Sequence, residues 1–407
     1  MALVAHSTVD HAVDARRRFA WPAVLACFCA AVLAWGFGFY GQSVYLAALQ
    51  AANGWSTTLI ASATTSYYLC GAILIALTPA LIDRCGPRIV LIGGALVLTG
   101  GAVFLSTATA PWQMFAANLV MAAGWATTSS TAITNTLALW FDRRRGLAIS
   151  LALNGASAAG FTVVPALVHL ADRFGLTAAA ATVGAVLLAI LIPAVLLGLR
   201  DAPLQAGRAA ATRSFSGRDA MRSPQFRSIA AFYALALVAQ VGFIIHQVAF
   251  LTPRLGAPGA AGAVAAASLA AMLGRIGLGT MIDRLNQRRV AALSVASQAV
   301  GILAMLIWPD QPAVLYGGCI LFGLSVGNVI TFPALIVQRE FPVAAFGTVV
   351  GLAYAIGQFA FAFAPALVGI VHDLAGGYRP ALALCIALQL TAAAIVLRGS
   401  KGLSGRS

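Results

Sequence analysis

At 407 residues with 61% hydrophobic and 9% charged side chains, the chain is far more apolar than soluble domains, whose norm is about 45–50% apolar and 25% charged. That excludes an ordinary soluble domain and makes the lipid bilayer the first partner. The net charge of +14 would suit a nucleic-acid binder, but its distribution along the chain gives it another meaning.

A transmembrane helix needs about 20 mainly apolar residues. Twelve stretches meet that demand: 20–48, 56–82, 89–108, 112–140, 147–171, 177–199, 228–252, 260–282, 290–308, 312–338, 347–371 and 379–397. The first follows Arg16, Arg17 and Arg18 and has no small-residue cleavage site. It also runs well past the 7–15 apolar residues of a signal peptide, so it reads as a retained helix. Of the 25 basic residues, Arg173, Arg254 and Arg379 fall on one side of these stretches and Arg275 falls inside one; all others lie on the side of the N-terminus. Positive charge collects on cytoplasmic loops, which places both termini in the cytoplasm of a multi-pass inner-membrane protein. The basicity is a topology signal, and no nucleic-acid partner is expected.

Polar residues inside the stretches come in chain order as Tyr40 and Gln42, Asn118, Asn154, His246 and Gln247, Arg275, Asn328, and Tyr354 with Gln358. Tyr354 and Gln358 are one turn apart and share a helix face. Each Asn or Gln has an ordinary explanation as a hydrogen-bonding link between membrane helices. Five of the six cysteines lie within stretches and Cys85 lies in a loop, with neither disulfide nor metal spacing. No cofactor is expected. The segment Arg200–Arg227 is the long polar interruption, with six arginines plus Gly, Pro and Ser. It reads as a linker between a first half, 1–199, and a second, 228–407.

Those halves are related. "LIDRCGPRIV" from Leu81 and "MIDRLNQRRV" from Met281 match at an offset of two hundred, and "PALV" at Pro165 recurs at Pro365. Two matches at one offset argue for duplication of six helices. Because six is even, both copies enter from the same side, as in transporters built from parallel repeats.

The loop motif resembles the signature of the major facilitator superfamily, Gly-x-x-x-Asp-Arg-x-Gly-x-Arg. Asp83, Arg84, Gly86 and Arg88 match, with Pro79 in place of the opening Gly. In the second copy Gly279, Asp283, Arg284 and Arg288 match, with Asn286 where Gly86 stands. Asn tolerates a left-handed turn, so Asn286 is expected to reproduce that turn. The resemblance implies an all-α fold of twelve helices in two six-helix bundles. It also implies a conformational gating role for Asp83, Arg84, Arg88, Asp283, Arg284 and Arg288.

"LWFDRRRGLAISLALNGASAAG", residues 139–160, and Gly36–Ser62 are similar to monocarboxylate transporters and oxalate/formate antiporters, with Ser150 where Gly is common. In that branch an arginine in the eighth helix grips the substrate carboxylate, and Arg275 occupies that place. The lysine that oxalate carriers hold in the eleventh helix is missing, and Ala271 stands where animal relatives place an aspartate. One cation suits one carboxylate.

Read without the resemblance, Arg275 costs about 2.5–3.5 kcal/mol at a helix centre, while Val264, Leu269, Leu273, Ile276, Leu278 and Ile282 together return about 2–3.5 kcal/mol. The eighth helix therefore depends on its neighbours. Arg275 lies about 12 Å from Asp283 along the helix, so snorkelling towards the interface is one reading. A buried ion pair is another, but no Asp or Glu falls mid-stretch. An unpaired intramembrane charge marks a substrate path, and a guanidinium binds carboxylate through two parallel hydrogen bonds.

The expected function is secondary active or exchange transport of small organic anions, chiefly monocarboxylates, by alternating access. Arg275 binds the anion, and Tyr354, Gln358, Asn118, Tyr40, Gln42, Asn328 and Asn154 are candidates to share the site. His246 is the candidate for proton coupling. A monomer is expected to suffice. A multidrug or metabolite exporter of the same fold, and a non-transporting membrane sensor, are the alternatives. No nucleophile motif or paired mid-membrane carboxylate suggests an enzyme.

Overall fold

The computed structural model describes residues 21–141, 145–199, 221–279, 281–342 and 345–399. Arg16–Arg18, Arg143, Arg144, the linker over 200–220 and the tail beyond 399 lie outside the described residues. Among those described, regular structure is helical and there is no strand. Hydrocarbon requires this of a spanning chain, since a helix satisfies its backbone polar groups internally.

The helices are α1 (Trp21–Asn53), α2 (Thr57–Ile75), α3 (Thr78–Ser106), α4 (Pro111–Thr128), α5 (Ser130–Leu137), α6 (Arg145–Phe174) and α7 (Leu176–Gly198). After the linker come α8 (Pro224–Gly279), α9 (Gln287–Ile307), α10 (Pro312–Val329), α11 (Phe332–Glu340), α12 (Phe346–Ala362), α13 (Ala364–Ala375) and α14 (Tyr378–Arg398). Ten helical runs are long and apolar enough to cross a membrane. One of them makes two passes, and α4 with α5 adds another, which gives twelve passes in two six-helix halves.

The double pass is α8. Its 56 residues would extend about 84 Å at 1.5 Å each, against a hydrocarbon core of about 30 Å. The chain reverses at Gly256, whose φ of 70° and ψ of 168° suit glycine. Both arms then run along α10: Gln240 Nε2 of the first donates to Val326 O at 3.5 Å, and Ala267 of the second abuts Gly323. The first arm begins earlier than the apolar stretch, at Pro224, because Ser223 Oγ accepts from Phe226 N (3.1 Å) as an N-cap ahead of a proline at the first helical position.

Several other stretches are broken where the composition reads as continuous. The 112–140 stretch divides at Ser129, where ψ is 177°. Thr128 Oγ1 donates to Gly124 O at 2.8 Å and Ser129 Oγ to Ala126 O at 3.0 Å, so the hydroxyls compete for helix carbonyls. The 312–338 stretch divides ahead of Pro333, and the 347–371 stretch at Phe363 ahead of Pro365. Phe332 and Ala364, which precede these prolines, stay helical; the ladder breaks because proline has no N–H to donate and its ring clashes with the carbonyl four residues back.

The two motif loops differ, which corrects the expectation for Asn286. Gly86 adopts φ 80° and ψ 154°, open to glycine alone among residues with normal strain. Asn286 has φ −74°, and its Oδ1 accepts from Arg289 N at 3.1 Å. It is an N-cap for α9 and not a left-handed turn, because a short 3₁₀ turn at Ile282–Arg284 already redirects the chain.

The halves meet at the end opposite these loops. Thr58 N at the start of α2 donates to Asp373 Oδ2 at 2.7 Å, and Ala366 N donates to Thr65 Oγ1 at 3.2 Å. Mid-membrane, α6 lies against the second arm of α8 so closely that a Cβ on Gly160 would collide with Ser268 Oγ. Nearer the motif loops, α5 and α11 pack within their own halves.

Candidate functional site

Arg275 sits where the second arm of α8, α10 and α6 converge. Its Nη1 is 3.5 Å from both Leu153 O and Asn154 Oδ1, the outer limit of a hydrogen bond, and its Nε is buried with no partner. The guanidinium lies on Gly327: a Cβ there would be 2.8 Å from Nε and 2.9 Å from Nη2. Among the described residues the ion pairs are Arg288 with Glu340 and His372 with Asp373, and neither involves Arg275. A group with five donors in a fixed fork therefore stands between the two halves with its hydrogen-bonding capacity mostly unspent.

Asn154, carried by the opposite half, is brought to Arg275. Asn328 acts behind it: Nδ2 donates to Leu324 O at 3.2 Å and to Gly274 O at 3.4 Å, tying α10 to the residue preceding Arg275. Tyr40 is delivered by a π turn, Gly36–Tyr40, a helix defect frequent at functional sites. Its ring lies beside the second arm of α8, since a Cβ on Gly160 that would collide with Ser268 Oγ would also be 3.5 Å from Tyr40 Cε2. With Ile244, Gln247, Ala267, Ser268, Phe322 and Val326 it lines a narrow pocket with room for about one water molecule.

Of the remaining candidates, Gln42 Nε2 and Asn118 Oδ1 are buried and unbonded, while their other polar atoms and the Tyr354 hydroxyl have partners. Tyr354 donates to Ile330 O at 3.0 Å, bracing the α10–α11 break, with its ring 5.6 Å from that of Tyr233. Gln358 is half-buried one turn further on. Gln42 Oε1 accepts from Thr64 Oγ1 at 3.2 Å, and Asn118 Nδ2 donates to Met114 O at 3.0 Å; both contacts lie inside the first half.

His246 is fully buried, with Nε2 3.0 Å from Pro365 O and Nδ1 3.3 Å from the Tyr378 hydroxyl. A carbonyl only accepts, so Nε2 carries the proton and Nδ1 accepts from Tyr378. The Tyr378 ring lies 4.2 Å from that of His372, whose Nδ1 is 2.8 Å from Asp373 Oδ1. His246 is therefore linked to the Asp373 end. Counted from the Gly256 reversal, Arg275 is nine residues deeper than His246, about 13 Å.

At the other end, Arg288 is 3% exposed. It pairs with Glu340 through two parallel hydrogen bonds, Nη2–Oε2 being 2.7 Å, and Nη1 donates to Val396 O (3.0 Å) and Ser228 Oγ (2.9 Å). Arg88 Nη2 donates to Leu196 O at 3.2 Å. Both arginines bind their own half together. Asp83, Arg84 and Arg284 are exposed, and the Asp283 side chain lies outside the described residues.

Sequence reading missed Gly327, Ser268, Glu340 and the Asp373–Thr58 contact. Ser268 carried a signal, since it precedes Arg275 by seven residues and shares its helix face. Gly327 and Glu340 carried none, being brought to their arginines by tertiary packing.

The Major Facilitator Superfamily family model matches residues 26–365 and 263–401. Monocarboxylate transporter 11 of Homo sapiens is 28% identical over 338 residues, 78% of this chain and 70% of that one. The Fujikurins efflux protein of Gibberella fujikuroi is 24% identical over 340 residues, 79% and 69% of the respective chains. The crystal structure of the nucleoside transporter NupG covers 94% of this chain and 98% of its own with a TM-score of 0.73 at 13% identity, a likeness of fold.

Proposed function

The chain belongs to the major facilitator superfamily, and from that premise we propose that it carries small organic anions, chiefly monocarboxylates, across the cytoplasmic membrane by alternating access. It is a transporter and not an enzyme, as its relatives are. The observation that carries the anion reading is Arg275: a guanidinium between the halves, without a carboxylate partner among the described residues, whose Nε is buried and unbonded. An unpaired charge at that depth is costly unless a ligand or water meets it, and one cation recruits one carboxylate. Asn154 contributes from the facing half, Tyr40 borders the site, and Asn328 holds the arginine's backbone in place. The similarity to a protein named as a monocarboxylate transporter supports the same substrate class.

In this reading the halves are residues 1–199 and 228–407 with the linker between them. The Arg88/Arg288 end and both termini face the cytoplasm, since the basic residues collect there, and the contacts at the Asp373 end belong to a state closed to the outside. A monomer contains the whole path. If protons are coupled through the protein, His246 is the group, and His246→Gln then removes acid-stimulated net uptake while sparing exchange.

The test is counterflow in liposomes loaded with a panel of small carboxylates. Arg275→Ala should lose binding by at least about a hundredfold, since a buried charge-assisted pair accounts for several kcal/mol, while inserting at least as well. Lys at 275 should keep a weak remnant, retaining the charge without the fork. Parental exchange in the Ala variant sinks the reading. A second reading, export of a larger metabolite, is favoured by the similarity to a protein named for efflux; flux of neutral or cationic compounds unaffected by Arg275→Ala would support it instead.

A further inference from the structure

Arg275 Nη1 faces two neutral oxygens of α6, Leu153 O and Asn154 Oδ1, each at 3.5 Å. A guanidinium has donors and no acceptor, so it is the oxygen end of the Asn154 amide that points at it. Bonds of that length are weak, yet they set two dipoles against the charge where no carboxylate stands among the described residues. The Nδ2 end of the same half-buried amide donates to nothing among the described residues.

The contact crosses between the halves. A Cβ on Gly155 would collide with Phe28 O and lie 2.9 Å from Ala31 Cβ, so this part of α6 is held hard against α1 and Asn154 travels with the first half. Arg275 travels with the second, its guanidinium resting on Gly327 of α10. Backed by that glycine and faced by α6, Nη1 has no space in front of it for a carboxylate. An anion that binds there has to displace the two oxygens. An amide suits that exchange. Aspartate in its place would hold the arginine as a fixed ion pair and leucine would offer it nothing, whereas asparagine accepts through Oδ1 and donates through Nδ2. Its terminal torsion is broad and roughly two-fold, so turning the amide over costs little.

We propose that Asn154 is an exchangeable stand-in for the substrate carboxylate: its Oδ1 holds Arg275 while no anion is bound, and when a carboxylate takes the arginine the amide turns and donates Nδ2 to that carboxylate. The proposal rests on the anion reading of Arg275 and adds how the charge is covered while the unloaded carrier returns. An uncompensated charge is costly within the membrane, and Asn154 with Leu153 O lowers that cost without removing it. Return without substrate is therefore possible, and slower than return with it.

Two measurements test this. The first needs no substrate: melting temperatures of the full chain in detergent for the parent, Asn154→Asp, Arg275→Ala and the double variant. A carboxylate at position 154 should capture Arg275 and raise the melting temperature by a few degrees. In the Arg275→Ala background the same change buries an unpaired charge and should lower it. The second compares net uptake with exchange in liposomes, using labelled lactate or benzoate, whichever the parent exchanges faster. Asn154→Leu should lower the ratio of net uptake to exchange about fivefold, the weight of one weak hydrogen bond, and weaken binding of the labelled acid by a similar factor. Asn154→Asp should abolish that binding, because its own carboxylate occupies the arginine. A shift of the same sign for Asn154→Asp in both backgrounds, or a ratio in Asn154→Leu equal to the parent's, overturns the proposal. If Arg275→Ala exchanges the acid as the parent does, the anion reading itself has failed; if it stops exchange while Asn154→Leu leaves the ratio unchanged, only the role given to Asn154 has.

Discussion

The two halves share several anchoring contacts and differ at the position of the candidate site. Arg88 reaches Leu196 O and Arg288 reaches Val396 O, each pair displaced by two hundred residues. Gly101 lies against α4 at Met121 as Gly301 lies against α10 at Gly318. At the same offset, however, Arg275 corresponds to Ile75 and Gly327 to Thr127. One half holds a guanidinium and the bare glycine it rests on; the other holds a branched apolar side chain and a threonine whose hydroxyl returns to its own helix at Ala123 O, 3.0 Å. The duplicated scaffold thus fixes where helices pack, while the chemistry of the path is supplied asymmetrically. The second half also carries the buried chain Gln389–Gln298–Gln240, with links of 2.8 and 2.9 Å, where the first half has Ala189, Leu98 and Tyr40.

The largest effect expected outside the site comes from cutting an anchor that the first half does not share. Glu340→Ala leaves Arg288 buried and unpaired, and loss of one partner of a buried pair costs about 3–5 kcal/mol. Arg88→Ala removes a single hydrogen bond to a carbonyl and should cost about 1 kcal/mol. Thermal unfolding of the two variants in detergent should show the Glu340 change lowering the melting temperature several times more. Equal shifts would mean that the halves are anchored alike.

Asymmetry at the opposite end is tested by Asp373→Asn. A carboxylate at a helix N-terminus contributes about 1 kcal/mol, and Asp373 supplies this to α2 across the boundary between halves. Asp172, which follows the first copy of the repeated "PALV" motif one residue sooner than Asp373 follows the second, is exposed and shows no such bond. Spin labels at exposed Ala51 and Arg379 should report a population shifted about fivefold towards separation of that end, whereas Asp172→Asn should leave the distances unchanged. No shift in the Asp373 variant would remove it as a latch.

Much of this was legible in the sequence. Twelve apolar stretches, a repeat at two hundred and one arginine without a mid-membrane carboxylate gave the architecture and the expected centre of the site. The breaks at Ser129, Phe363 and ahead of Pro333 were less legible, because hydropathy does not register hydroxyls that compete for carbonyls or prolines that cannot donate to the helix ladder. Tyr354 looked well placed by sequence, yet its hydroxyl braces Ile330 O; the spacing that puts two polar groups on one face does not say which neighbour that face meets. Gly327 illustrates the converse, a residue with no side chain to notice and a consequence for the group beside it. In Gly327→Ala the new methyl would press on Nε and Nη2 of Arg275 and displace the guanidinium. Carboxylate affinity should fall by about three- to tenfold, as for a strained or lost hydrogen bond, with little change in melting temperature. The reciprocal change, Thr127→Gly, should leave affinity unaltered, and a comparable loss there would erase the distinction between the halves.

The last comparison sets the two motif loops against each other, and its smallest effect is at position 286. They align residue for residue, yet Gly86 is held at φ 80° and ψ 154° while Asn286 is extended and caps α9. If the loops were interchangeable, glycine would serve at both places and asparagine at both. The geometry requires otherwise. Asn at position 86 should cost about 1–3 kcal/mol, the strain of placing a side chain in a region that glycine alone occupies readily. Ala at position 286 should cost about 1 kcal/mol through the lost cap, and Gly there only a few tenths, because an uncapped glycine leaves the first amides of α9 open to water. Denaturation of these three variants in detergent gives the order, with Gly at 286 nearest the parent. A larger loss for Gly at 286 than for Asn at 86 would mean that the aligned loops share one conformation after all.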